Sequence, residues 1–470
     1  MTEALLLKKE NRMADIVTTL IEMLGKGSVL TGEDVSSRQA GFFSRAPVEA
    51  KAIVRPRSTA EVSETMKLCH EFDQPVVAHG GRTGLVLSAA TKPDDIVVSL
   101  ERMNSIEEIN SIDRTVVAQS GVILQTLQEE VEKHDLMYPL DLGARGSCTI
   151  GGNIATNAGG NRVIRYGMTR DMVLGLEVVL ADGTVVSSMN QMIKNNAGYD
   201  LKQLFIGSEG SLGIVTRAVL RLREMPQERS TLLVAVDEFG KLPNLLKLLD
   251  SSLGGTLSAF ELMWNNFYRL VTTEPALNSP PMSQDYPYYV LIEAIGAESE
   301  KMETTLQEAW DQGLIVDAVI AQSEIQRQQL WALRDDVGQA VRYLPNFTFD
   351  VSLRISHMVD YVEEVNRRLK ERFPKVENFT LGHMGDGNLH FLVAPGEGDS
   401  SLRHDVEACV YEPLAEISGS VSAEHGIGLE KKPWLQISRS PEEIEVMRKM
   451  KRALDPKGIL NPGKIFDLKS

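Results

Sequence analysis

A stretch of sixteen residues, 146–161 (GSCTIGGNIATNAGGN), carries no formal charge and holds glycine at 146, 151, 152, 159 and 160. It constrains the fold more than any other part of the chain. Glycine, lacking Cβ, lets backbone lie close against a partner, and successive N–H groups in turn conformations form a concave site for an anion such as a phosphate. Two more segments share this texture. Residues 77–85 (VAHGGRTGL) follow directly on a strand-like run, and residues 207–216 (GSEGSLGIVT) would bring further backbone against a planar ligand. Each would serve as well as a tight turn in a β-rich domain. Neither GxGxxG behind a strand nor GxxxxGK(S/T) occurs, so a Rossmann dinucleotide site and a P-loop are both disfavoured.

Around these segments the chain reads as short strands alternating with helices. AIVRP, QPVVAHGG, DDIVVSL, RTVVAQSG and GLEVVLADGTVV are strand-like, the last with Asp182-Gly183 as a two-residue hairpin turn. TAEVSETMKLCHEF, with Glu61 behind a Ser/Thr cap signal, and VILQTLQEEVEKHDL read as helices, as does an amphipathic stretch at 14–24 that ends at Gly25. After about Pro226 the pattern shifts. TLLVAVD and PYYVLIEAIG are strands, while KLPNLLKLLDSSL and residues 299–312 are helices; a four-proline segment at 272–287 is a loop or crossover. This rhythm predicts an antiparallel sheet with helices on one face. Near the C-terminus, Ser440 caps a helix that begins at Pro441.

A length of 470 residues allows two or three domains, and 43% apolar with 24% charged residues is a globular balance. A net charge of −16 argues against nucleic acid and against an anionic membrane surface as partners. No apolar run is long enough to span a bilayer, and the first residues resemble neither a secretory signal nor a transit peptide. Cys69, Cys148 and Cys409 are too few and too scattered for a disulfide framework or an iron–sulfur site. A soluble, cytoplasmic protein is expected.

The sharpest chemistry lies in the second half. Residues 378–393 (NFTLGHMGDGNLHFLV) read as strand, Asp-Gly turn, strand. If Asp386 and Gly387 are the central turn residues, 385 pairs with 388, 384 with 389 and 383 with 390. His383 and His390 then stand opposite each other with Cβ atoms about 4.5–5.5 Å apart, a spacing that suits two imidazoles on one divalent metal. A third ligand could come from residues 422–428 (SAEHGIG), where Glu424 supplies an oxygen and the glycines let the loop pack close. The plain alternative is a hairpin with exposed or hydrogen-bonded histidines. His70, His134, His357 and His404 read as structural or solvated.

Taken together and in order, HGGRTG, PLDLGARGSCTIGGNIATNAGG, RYGMTRDMVLGLEVVLADG and GSEGSLGIVT resemble the FAD domain of the vanillyl-alcohol-oxidase type flavoproteins. GHMGDGNLH, SAEHGIGLEKK and the terminal ALDPKGILNPGKIF resemble the C-terminal half of the FAD-linked D-2-hydroxyacid dehydrogenases, relatives of the D-lactate, glycolate and D-2-hydroxyglutarate enzymes. The resemblance implies an α+β fold in four parts. A helical segment at 1–46 packs on a two-subdomain FAD domain at 47–226. An antiparallel-sheet cap domain for substrate and metal follows at 227–430, and residues 431–470 return to the FAD domain. It further implies FAD held by His79, Gly80, Gly81, Arg82, Thr83 and Gly84; by Gly146, Ser147, Thr149, Gly152, Asn153, Asn157, Gly159 and Gly160; and by Glu209, Gly210, Gly213, Ile214 and Val215. Asn461 would contact FAD or merely cap a turn. Covalent members of the group carry a histidine at the first GG turn. Here Arg82 follows the turn and His79 precedes it, so noncovalent FAD is expected.

By the same resemblance His383, His390 and Glu424 hold a divalent metal, zinc first, whose open positions take the C2 hydroxyl and carboxylate of a D-2-hydroxy acid. His425 would accept the hydroxyl proton as general base, and Arg334 would bind the substrate carboxylate. Electrons would leave to an external acceptor: a quinone, a cytochrome or an electron-transfer flavoprotein. A homodimer is possible on the same grounds. In relatives acting on D-2-hydroxyglutarate the pattern adds a threonine, a lysine and an asparagine where this chain has Gly338, Thr348 and Leu392. Together with Phe391, this points to a monocarboxylate such as D-lactate or a longer 2-hydroxyalkanoate, with Arg342 or Arg354 able to rescue a diacid. D-2-hydroxyglutarate oxidation, a metal-dependent hydrolase and a non-catalytic flavin module stay as alternatives.

Overall fold

The computed structural model describes residues 16–41 and 46–468. The segment expected to be helical at 14–24 is helical from 16 to 24 and stops at Gly25, φ +83°; Ala14 and Asp15 lie outside the described residues. The first glycine segment leaves the edge of a four-stranded sheet ordered Val29–Leu30, Ala52–Val54, Ile96–Ser99, Val76–His79. Its last three strands run parallel, and Ala52–Val54 and Ile96–Ser99 are buried at every residue, as parallel strands covered on both faces are. Helix Thr59–Glu71 connects two of them. Ser58 caps it, Oγ accepting from Glu61 N at 3.2 Å while the Glu61 carboxylate accepts from Arg57 N.

A five-stranded antiparallel sheet follows, ordered Ile106–Asn110, Thr115–Gln119, Ile214–Arg221, Val173–Val179, Val185–Ser188. The third glycine segment feeds straight into its central strand. The Asp182-Gly183 hairpin is a three-residue loop rather than a two-residue one. Leu180 and Thr184 bond to each other, and Gly183 sits at φ +83°, the left-handed position that closes a type I turn of this length. Seven residues of the charge-free stretch are themselves helical, Ile150–Thr156, ending at Asn157 with φ +50°. Gly151 permits the approach: a Cβ there would lie 2.5 Å from Ser120 Cβ.

The second half is a seven-stranded antiparallel sheet ordered Asp317–Ile320, Arg229–Val236, Tyr288–Ile295, Leu257–Trp264, Glu377–His383, Asn388–Ala394, Phe347–Ser352. Leu242–Leu253, Ser299–Asp311, Met358–Arg372 and Arg403–Tyr411 cover one face with a large apolar core, as expected. The other face is not bare. Asn265–Thr272 and Glu324–Asp335 pack against part of it, and the functional groups occupy the rest. Helix Pro441–Leu454 starts in a capping box made by Ser440 and Glu443. Among the described residues no helix is long and apolar enough to cross a membrane.

Candidate active site

The three glycine segments meet around one cavity of about 500 Å³. Gly80 and Gly81 are pressed against the second segment so closely that a Cβ would lie 2.6 Å from Thr149 Oγ1 at the first and 2.2 Å from Ser147 O at the second. Thr149 Oγ1 and Asn153 Nδ2 are buried without a hydrogen-bond partner, and both residues line the cavity. Buried polar groups are rarely left unpaired. A ligand that brings its own polar groups would satisfy them.

Of the residues expected to hold FAD, His79 to Gly84, Thr149, Gly152, Asn153, Gly159, Glu209, Gly210, Gly213, Ile214, Val215 and Asn461 line this cavity. Gly146, Ser147, Asn157 and Gly160 lie off its wall. Ser147 offers its carbonyl to the underside of Gly81, Asn157 accepts from Arg170 N at 2.9 Å, and Gly160 N donates to Glu424 Oε1 at 2.8 Å. His79 is buried with its ring against the Ala89 carbonyl, and burial pulls its pKa down to about 4, so it stays neutral. Asn461 has both ends of its amide engaged, accepting from Ala78 N at 3.0 Å and donating to Glu209 O at 2.6 Å.

The histidine pair stands on the face of the seven-stranded sheet that Asn265–Thr272 and Glu324–Asp335 only partly cover. The register differs from the expected one: His390 pairs with Leu381, not His383, because the connection is a 3-10 turn, Met384–Asp386, closed by Gly387 at φ +88°. The slip is two residues. Side chains alternate with period two, so His383 stays on the face of His390. The ring centroids are 5.2 Å apart, and one ligand atom each from His383, His390 and Glu424 lies within 4.8 Å of the others.

Two acids on neighbouring strands complete the stripe. Glu261 is the cross-strand partner of His383, and Asp350 that of His390. Glu261 meets His383 Nδ1 at 2.8 Å and accepts from Arg334 Nε at 2.8 Å. Burial raises the Glu261 carboxyl, but His383 and Arg334 outweigh it and leave its pKa below the ordinary range. Burial opposes charge on His383 as well, yet Glu261 carries it up to about 8. His390 falls well below the usual imidazole value because it is buried among His383, Arg334 and His425. In the turn beside them, burial pushes Asp386 up to about 7.

The loop at 422–428 connects this stripe to the cavity. Asp350, fully buried, accepts through one carboxylate oxygen from the backbone N–H groups of Ala423, Glu424 and His425 at 2.9, 2.7 and 3.2 Å. Its other oxygen lies 2.9 Å from His425 Nδ1 and accepts from Lys431. These partners hold the carboxyl well below its usual pKa against the effect of burial. From the other half of the chain, Glu209 accepts from Ile427 N at 2.7 Å, Gly428 N at 2.9 Å and the Ser88 hydroxyl. Glu424 and His425 thereby form part of the cavity wall, while Arg334, His383 and His390 stand behind them, off that wall. Sequence reading missed Glu261, Asp350 and Lys431. The only signal for Asp350 was its place in FDVSL, two residues before the strand end.

Residues 225–465 match the family described as FAD linked oxidases, C-terminal domain, and residues 50–188 match FAD binding domain. D-2-hydroxyglutarate dehydrogenase of Stutzerimonas stutzeri (strain A1501) is 37% identical over 97% of this chain and 98% of its own. The mitochondrial enzyme of that name from Bos taurus is 39% identical over 95% and 82%. That of Xanthomonas citri pv. viticola is 41% identical over 88% and 89%. Among solved structures, p-cresol methylhydroxylase with substrate bound superposes with a TM-score of 0.76 at 18% identity, covering 100% of this chain and 98% of that one. Alkyldihydroxyacetonephosphate synthase gives 0.75 at 16%, covering 96% and 84%. Both show the fold.

Proposed function

The chain belongs to the FAD-linked oxidase family, and from that premise we propose that it oxidises the C2 hydroxyl of a D-2-hydroxy acid to the 2-oxo acid, passing electrons to an external acceptor. Family membership sets aside the hydrolase and the non-catalytic module. The carrying observation is the loop at 422–428, which lines the cavity of the glycine segments while its Glu424 lies within 4.8 Å of the histidine pair.

FAD fits the cavity: the unpaired Thr149 and Asn153 groups face it, and Gly80 and Gly81 leave room where side chains would clash. When bound, FAD supplies a two-electron acceptor. A divalent cation fits the second site through two imidazoles and a carboxylate, and supplies Lewis acidity toward the C2 hydroxyl. Donor atoms on one zinc lie at most about 4.2 Å apart, so the 4.8 Å spread calls for small side-chain rotations, and two imidazole donors suit zinc better than a hard, oxygen-seeking cation. The protein's own groups do the rest. His425, its Nδ1 tied to Asp350, keeps Nε2 free to take the hydroxyl proton. The Arg334 guanidinium, buried beside His383, binds the substrate carboxylate.

D-2-hydroxyglutarate is the acid we place first, because relatives matched nearly end to end carry that name. The sequence argument for a monocarboxylate weakens in three dimensions. Phe391 lies in the helix-covered core against Tyr361, on the sheet face opposite His390, and Gly338 and Thr348 are exposed. Arg342 is committed to the carbonyls of Gln339 and Leu270, and Arg354 is exposed. Leu392, buried on the His390 face, is the observation that keeps D-lactate as a second reading. Anaerobic bleaching of the bound flavin, scored over D- and L-2-hydroxy mono- and diacids, tests the reading. No bleaching by any D-acid refutes it.

A further inference from the structure

Glu261 has no part in the chemistry above, yet it is 1% exposed and wholly committed. Both oxygens lie 2.8 Å from His383 Nδ1, and Oε2 also accepts from Arg334 Nε at 2.8 Å. An ionised carboxylate in such a place persists only when both oxygens are matched. The groups matching it are one proposed metal-binding imidazole and the proposed substrate guanidinium. Arg334 Nη2 lies 3.0 Å from His383 Nε2 and 3.5 Å from its Nδ1, over the ring rather than in line with either lone pair. An ionised carboxylate only accepts, so the proton of a neutral His383 ring sits on Nδ1, facing Glu261, and Nε2, 3.7 Å from Glu424 Oε1, keeps its lone pair.

We infer that Glu261 is a positioning residue for both halves of the site: it fixes the His383 tautomer that turns the Nε2 lone pair toward a divalent cation, and it anchors the Nε edge of Arg334. The inference rests on the proposed metal site. Carboxylates behind metal-bound histidines orient the ring and raise its basicity, and their loss weakens metal binding about 10–100-fold.

The test uses the full-length flavin-loaded protein with zinc, its affinity measured by competition against a chromophoric chelator. Glu261→Gln should bind zinc about 10–100-fold more weakly, with flavin content and visible spectrum unchanged. Glu261→Asp should fall between, and carries the test if the glutamine variant does not fold. At saturating zinc, anaerobic flavin reduction by D-2-hydroxyglutarate should stay slower by about 10²-fold in Glu261→Gln, because Arg334 has lost its anchor. Parental zinc affinity in both variants overturns the inference, and full recovery of rate at saturating zinc overturns its Arg334 half. If the parent binds no zinc, or His390→Ala leaves zinc binding unchanged, the metal reading itself fails. That outcome is read without touching Glu261.

Discussion

Replacing Asp350 by asparagine should pull proton transfer and stability apart. The carboxylate serves five donors: three backbone N–H groups on one oxygen, and the His425 ring and Lys431 ammonium on the other. Asparagine has a single acceptor oxygen. With that oxygen left under the three backbone groups, the amide NH2 faces Lys431 and His425 Nδ1. The imidazole then accepts at Nδ1, and its proton moves to Nε2. A base that already carries its proton is no base, so flavin reduction by substrate should slow by about 10²–10⁴-fold. Lys431, 4% exposed, is left as a buried cation without its partner, which costs about 3–5 kcal/mol. Asp350→Asn/Lys431→Met removes the stranded charge and should recover most of that stability, but none of the rate. The assays are anaerobic stopped-flow bleaching and urea unfolding. Asp350→Asn reducing its flavin within a few-fold of the parent rate, or the double variant regaining that rate, refutes the tautomer argument.

His425→Ala should keep its flavin and its metal yet fail to bleach with substrate; normal bleaching sinks the base assignment. Chelation should abolish bleaching and leave the flavin bound, as read from the visible spectrum. The buried His79 has a folded pKa of about 4 against 6.5 unfolded, so between those values the unfolded chain binds more protons and stability falls as pH falls. About 3 kcal/mol is lost from pH 6.5 to 4 by this group alone, and His79→Gln, which still can donate to Ala89 O, should flatten that part of the urea midpoint profile. Leu392→Asn, on the His390 face, should raise kcat/KM for D-2-hydroxyglutarate relative to D-lactate by about tenfold or more; an unchanged ratio removes Leu392 from the substrate wall.

Much of this site was legible because the signals are local. Helix caps need only four residues: Ser440 was read as the cap it is, and the Ser/Thr signal ahead of Glu61 is Ser58. The histidine pair was legible through parity rather than register. The Asp-Gly turn was read as two residues and is longer, yet a slip of two leaves both rings on one face, where a slip of one would have separated them. Glu261 and Asp350 were illegible for the opposite reason. Each reaches its histidine across a strand pair, and Glu261 is 122 positions from His383. Strand order in an antiparallel sheet is not written in any one strand. Gly146, Ser147, Asn157 and Gly160 were assigned to FAD by belonging to the right stretch, but part of that stretch packs against other segments of the chain: Ser147 against Gly81, Asn157 against Arg170 and Gly160 against Glu424.

The loop at 422–428 explains why the site needs both halves of the chain. Five of its backbone N–H groups end on two carboxylates, Asp350 from the seven-stranded sheet and Glu209 from the third glycine segment. Gly426 at φ +83° supplies the left-handed turn between the two sets, and Gly428 at φ +52° is the left-handed residue that ends the second. At Gly428 a Cβ would lie 1.9 Å from Val86 O, so nothing larger fits. Neither half alone defines where Glu424 and His425 point. Their directions are fixed only when the flavin-binding half and the sheet are docked, and the same docking brings Gly160 N onto Glu424. Disturbing Glu209 is therefore expected to act on His425 from the far side of the cavity, through backbone alone, without touching a ring nitrogen. Rigid placement of this kind is what a proton acceptor requires, since misplacement by about 1 Å can cost about 10²-fold in rate.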